Sequence, residues 1–234
     1  MKEKKLHLEL IRALAMLLVI FNHTGTSGFM LYSVAQQSVF YPVYLFLSVA
    51  CKPAVPLYWM VSGALLLPKE ESIAHVYRHR VLRMVLVLLL FSVGPHLASV
   101  ILGRTELNLK HVFVTVYSSP MSIATTYWFI CAYIGVMMML PFLRRLVKAM
   151  TRREWLYLFL LMFVFRGCIP IAEYLIAQGD LHINRDIMDS LFSMNVVYFM
   201  AGYYFEDVLK KEELTAKRCV ILLAGGRLSE NDSF

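Results

Sequence analysis

The sequence predicts an all-α, polytopic membrane protein, and three observations carry that prediction. Of its 234 residues 59% are hydrophobic and only 17% charged, whereas soluble domains run nearer half apolar and a quarter charged. The apolar residues gather in runs of about 20, the length a helix needs to cross the hydrocarbon core. Between alternate runs fall short clusters of Lys and Arg, the asymmetry that sets membrane topology. The formal net charge of +7 does not point to nucleic acid, because the charges interrupt apolar segments and do not line one element or a basic tail.

Six complete spans and the start of a seventh are expected, the first over Leu6 to Thr24. The opening MKEKK imitates a signal peptide, but Arg12 breaks the apolar core and no small-x-small cleavage pattern follows, so the span is retained. The second apolar region, Val39 to Leu67, is interrupted by Lys52, Pro53 and Pro56. Proline removes a backbone donor and clashes with the turn before it, so a kinked or broken helix follows, either as a plain proline kink or as the wall of a cavity. Pro68 to His79 reads as a charged loop, leading to a third span from Val81 to about Leu102 in which Gly94-Pro95-His96 marks a kink. The fourth span runs from about Ile123 to Leu143 and opens on the interfacial aromatics Tyr127, Trp128 and Phe129. Within it Met137 to Met139 read as core filling, since adjacent helix positions do not converge on one ion. The fifth span, Trp155 to about Ala172, encloses Arg166, with Glu173 as a possible partner, and the sixth covers about Asp189 to Phe205. A seventh run begins at Cys219 and stops within a few residues.

With the amino terminus inside, the cytoplasmic segments collect the clusters around Lys2 to Lys5, Lys69 to Arg83, Arg144 to Arg153 and Lys210 to Arg218, leaving Arg104, Lys110 and Arg185 outside. The four cysteines, Cys51, Cys131, Cys168 and Cys219, form no Cys-x-x-Cys or Cys/His grouping, so neither a disulfide framework nor a metal site is expected.

Within this frame a few polar residues stand out. Arg12 and His23 lie eleven positions apart in the first span. That spacing returns them to within about 20° of one helix face, roughly 16 Å apart along the axis. An ionisable residue in a span is a functional hypothesis by default, although Arg12 can also snorkel to lipid phosphates or pair with Glu9, and His23 can be interfacial. Ser62 and Gly63 are small enough to let helices approach closely. Arg80 and Arg83 stand one turn apart at the expected start of the third span, as membrane anchors or as a bidentate grip on phosphate.

The stretch LELIRALAMLLVIFNH, with ten residues between Arg12 and His23, resembles the Arg-x10-His signature of the acyltransferase-3 family of bacterial inner-membrane acyltransferases. Aromatic residues leading into Ser62-Gly63, the Arg80-x-x-Arg83 pair, YWFICAYIGVMMMLPFL and VYFMAGYYF are similar to further family segments in the same order. The resemblance implies transfer of an acyl group, typically acetyl, from acyl-CoA to a hydroxyl of a cell-envelope glycan. It implies no permanently bound cofactor, and partners that are acyl-CoA, the glycan acceptor and the lipid bilayer; oligomeric state is left open. His23 becomes the expected base, histidine being the residue type whose unperturbed pKa lies near neutrality, while Arg12, Arg80 and Arg83 become holders of the anionic donor. Family members carry more spans, so residues 1–224 are expected to be an incomplete acyltransferase-3-like membrane domain with a polar tail at 225–234. Two other classes remain as readings: a transporter or flippase for a glycan or lipid, and a non-catalytic membrane subunit.

Overall fold

The computed structural model describes residues 5–104, 106, 108, 110, 114, 128–177 and 193–209. Among them every regular element is helical and no strand occurs. Four helical stretches are long and apolar enough to cross a membrane: Tyr41–Leu66, Ile73–Ile101, Trp128–Ala149 and Arg152–Ile176. The expected seventh run lies outside the described residues, as does the start of the sixth.

The chain divides into two compact units, Met1–Pro68 with Val197–Phe234, and Lys69–Val196. In the first, α1 (Leu6–Asn22) is followed by a 3-10 turn at Gly25–Ser27 and the short α2 (Leu31–Val34). Next come α3 (Tyr41–Ala50) and α4 (Ala54–Leu66), separated by a turn at Cys51 to Pro53 where the sequence places its lysine and first interrupting proline. The expected break is therefore real. It is held by Lys52, whose ammonium lies 4.9 Å from the ring centre of Phe29, and by Ser48, whose hydroxyl donates to the Phe29 carbonyl at 2.5 Å.

Helix α1 turns Leu8 inward against Val61 and Ala64 of α4, with Ile11 and Leu65 packed around them. Its Leu6, Leu10, Leu14, Leu17 and Ile20 are exposed. Apolar side chains facing outward on a helix are what a lipid solvent calls for. Helix α10 (Met194–Tyr203), from Val197 onward, belongs to the same unit and crosses α4. Here Gly63 and Gly202 each meet the opposing backbone. A Cβ at Gly63 would lie 1.6 Å from the Phe199 carbonyl oxygen, and one at Gly202 would lie 1.8 Å from that of Met60. Trp59 stacks edge-on against Phe199 beside this crossing, with ring centres 6.3 Å apart.

In the second unit the third span begins earlier than the sequence suggests. Ser72 caps the helix by accepting from the His75 amide at 3.2 Å, so α5 (Ile73–Val76) starts inside the stretch expected to be a loop. It continues through a π-helical segment at Tyr77–Val81 into α6 (Leu82–Ile101). Arg80 and Arg83 are thus well past the first turn, and the expectation that they stand at the start of the third span is corrected. The error arose because charged residues on both sides mask the short apolar set Ile73, Val76 and Tyr77, whose helical spacing the cap at Ser72 completes.

Helix α7 (Trp128–Ala149) buries Val136, Leu140, Leu143 and Val147, a stripe at alternating four- and three-residue spacing. Of its methionine triplet only Met137 fills the core; Met138 and Met139 are exposed, which corrects the reading of all three as core. Thr151 and Glu154 close a reciprocal capping box at the start of α8 (Arg152–Phe163). A second π-helical segment, Val164–Cys168, carries Arg166 and leads into α9 (Ile169–Ala177).

Candidate functional site

His23 closes α1 as its C-cap residue, its backbone N–H bonded to the Ile20 carbonyl at 3.0 Å. Its ring is fixed by the preceding turn, because Nδ1 lies 2.8 Å from the Val19 carbonyl oxygen. A carbonyl only accepts, so Nδ1 carries the proton and Nε2 is left with its lone pair directed away from the helix. The next residue steadies the exit from the helix: Thr24 Oγ1 donates to the Phe21 carbonyl at 2.7 Å and accepts from the Phe29 amide at 3.0 Å. Phe29 in turn is bonded to Ser48 and lies under Lys52, so the loop behind His23 is tied to the break between α3 and α4.

Of the readings open for Arg12, the structure displays the pair with Glu9. Arg12 Nη1 lies 3.2 and 3.1 Å from the two Glu9 carboxylate oxygens. The guanidinium therefore reaches toward the start of α1, away from His23, and its Nε and Nη2 groups are not used by Glu9. Ser62 and Gly63 sit in the α4–α10 crossing. Ser62 bonds its own helix at the Tyr58 carbonyl, 2.9 Å, and Gly63 touches the Phe199 backbone, so both serve packing.

In the second unit Arg80 meets a carboxylate from the segment just before α5. Glu71 accepts from Arg80 Nη2 at 2.6 Å and from Nε at 3.2 Å. It also accepts from Arg144 Nη2 of α7 at 2.8 Å, and Arg144 Nη1 donates to the Glu71 backbone carbonyl at 3.4 Å. Glu71 is held far below the usual carboxylate range, at about 2, chiefly by the hydrogen bond from Arg80, with partial burial opposing and Arg144 adding to the lowering. Arg144 is itself buried, with 8% of its side chain exposed. Arg83 is exposed and makes no ion pair among the described residues. Beside this cluster an open cleft of about 450 Å³ separates the Lys69 to Ile73 segment from α7, bordered also by Arg145 and by Lys148, which bonds Glu70 at 2.9 Å.

Glu71 and Arg144 were missed from sequence, yet a signal was present. Between Glu9 and Glu106 the only acidic residues are Glu70 and Glu71, set among basic neighbours. A second missed tie lies in the first unit, where Glu206 accepts from Lys5 at 2.8 Å and from His7 Nε2 at 2.9 Å. Partial burial works against the Glu206 charge, but the bonds from Lys5 and His7 outweigh it and lower its pKa.

Comparison with known proteins supplies what geometry alone does not. The acyltransferase-3 family model, described as an acyltransferase domain, matches residues 6–226. No curated protein and no solved structure matches the chain.

Proposed function

Because the chain belongs to the acyltransferase-3 family and is therefore an acyltransferase, we propose that it moves an acyl group, acetyl in the simplest case, from acyl-CoA to a hydroxyl of a cell-envelope glycan. The observation that carries this reading is the His23 ring, whose Nδ1–H is committed to Val19 and whose Nε2 is free to take a proton. As the acceptor oxygen attacks the thioester carbonyl, its proton passes to Nε2. The new C–O bond forms, the C–S bond breaks, and the departing thiolate of coenzyme A recovers the proton from His23. No permanently bound cofactor enters this scheme.

Arg80 and Arg83 are the groups we assign to the donor's phosphates, since guanidinium keeps its charge and binds phosphate oxygens in pairs. Arg12, turned toward the start of α1 by Glu9, offers its Nε and Nη2 groups to the anionic donor at that end, away from the carbonyl that reacts at His23. The distribution of the basic clusters supports an orientation with the amino terminus and these arginines on the cytoplasmic side of a bacterial inner membrane and His23 toward the outer side. The deciding experiment is His23→Ala in membranes containing the full chain, assayed for release of coenzyme A with glycan acceptor present. Transfer should vanish while membrane insertion is unchanged; substantial retained transfer would remove His23 from the chemistry.

A further inference from the structure

Resting on the assignment of Arg80 and Arg83 to donor binding, we propose that Glu71, anchored by Arg144, is a positioning residue that presets Arg80 for the donor's phosphates. An arginine at a membrane surface samples many rotamers, and each one frozen on binding weakens the complex. Arg80 is already ordered, because Glu71 takes its Nε–H and one Nη2–H side-on at 3.2 and 2.6 Å. That contact leaves Nη1 and the second Nη2 hydrogen on the opposite edge, a two-donor fork matched to phosphate oxygens.

Glu71 is not an arm that swings. The buried Arg144 holds Oε2 at 2.8 Å and the Glu71 backbone carbonyl at 3.4 Å, and it rises from the same face of α7 as the buried Leu140 and Leu143. Ser72, the next residue, caps α5, so the Glu71 backbone is fixed from that side as well. Two guanidinium groups on one carboxylate leave the triad net positive. The exposed charge of Arg83 follows three positions after Arg80, and the cluster thus remains attractive to a polyanion while its geometry is locked.

A competing role predicts the opposite sign. If Glu71 were only a counter-ion occupying Arg80, donor phosphates would have to displace it, and its neutralisation would tighten binding. The test uses the purified full chain in detergent, coenzyme A as the probe, and calorimetry for the dissociation constant. Glu71→Gln should weaken coenzyme A by about tenfold, the loss expected when a charged bidentate pair is broken. In turnover it should raise KM for the acyl-CoA while leaving kcat and the acceptor KM near their starting values. Unchanged or tighter binding by a folded Glu71→Gln chain overturns the positioning role. Should that variant fail to fold, Glu71→Asp decides. It keeps the charge on an arm one methylene shorter, and weaker binding supports the proposal whereas unaltered binding overturns it. Arg83→Gln separates the two levels of inference. If the original chain binds coenzyme A and Arg83→Gln binds it equally well, the donor assignment falls and this proposal with it; if Arg83→Gln weakens binding and only Glu71→Gln has no effect, the positioning role alone falls.

Discussion

A carboxylate shared by two arginines ties its own protonation to the stability of the fold. Glu71 has a folded pKa of about 2 against an ordinary 4.5, so its charged form is favoured in the native state. The resulting stabilisation is complete above the ordinary value and erodes as pH falls from 4.5 toward 2. Thermal unfolding followed in detergent should therefore show a midpoint that drops as pH is lowered through that window, and Glu71→Gln should flatten this dependence. The neighbouring pair Lys148 and Glu70 is also close, at 2.9 Å, but solvent screens it. Lys148→Ala should accordingly leave the midpoint unchanged within error. At this scale His23 and Arg80 stand out in the sequence as candidates, because an ionisable residue inside or beside an apolar run is conspicuous. Arg144 was not. It sits 73 positions from Glu71, and helical periodicity says which face a residue occupies without saying which other helix meets it.

Helices here meet through absent side chains as much as through present ones. Gly63 of α4 and Gly202 of α10 each place bare backbone against a carbonyl of the other helix, whereas Gly135 on α7 has open space at its Cβ position. Gly63→Ala should force the two helices apart and destabilise the first unit by about 1–3 kcal/mol or more, the cost of overpacking. Gly135→Ala should be neutral or mildly stabilising, because alanine is the better helix former. Denaturation of the two variants side by side in one detergent checks both. The sequence marked Gly63 as a packing position and the Lys52 to Pro56 break as a break, since small residues and proline act locally. It did not mark the π-helical segments at Tyr77–Val81, Val164–Cys168 and Tyr204–Val208. An extra residue in a turn shifts the phase of every side chain beyond it, and a short apolar run carries too few residues to reveal the shift. Each of these segments holds ionisable residues: Arg80, Arg166, and Glu206 with Asp207. Such turns recur at functional positions.

For the molecule as a whole, composition was a sound guide to class, and the helical spans follow from it. Four stretches meet the length and hydropathy of a crossing helix among the described residues. The second and fifth apolar runs match theirs to within four residues, the third starts eight residues early at Ile73, and the fourth ends six residues later than expected at Ala149. The expected first span, seventeen helical residues long, is not among the four. The proposed orientation has a direct check. In a chain whose native cysteines are replaced by serine, Thr26→Cys should react with a membrane-impermeant maleimide in intact cells, and Glu70→Cys should react only after permeabilisation. The reverse pattern would invert the topology and with it the side from which the donor arrives.

Helix α1 has 17 residues. It is thus about 26 Å long at the ordinary rise per residue, against a hydrocarbon slab of about 30 Å. Its first turn is pinned, since Lys5 and His7 are bonded to Glu206, so in the proposed orientation the shortfall would be taken up at the end that carries His23. Lipids beside that end must compress, a hydrophobic mismatch with a modest cost per ångström. On the proposed mechanism the His23 imidazole would then work beneath the headgroup plane, where scarce water would slow hydrolysis of the thioester. Reconstitution into bilayers of progressively longer lipid chains should lower the transfer rate and raise the ratio of transfer to hydrolysis. The thickness of the surrounding membrane would thereby govern how far an acceptor must descend to be acylated.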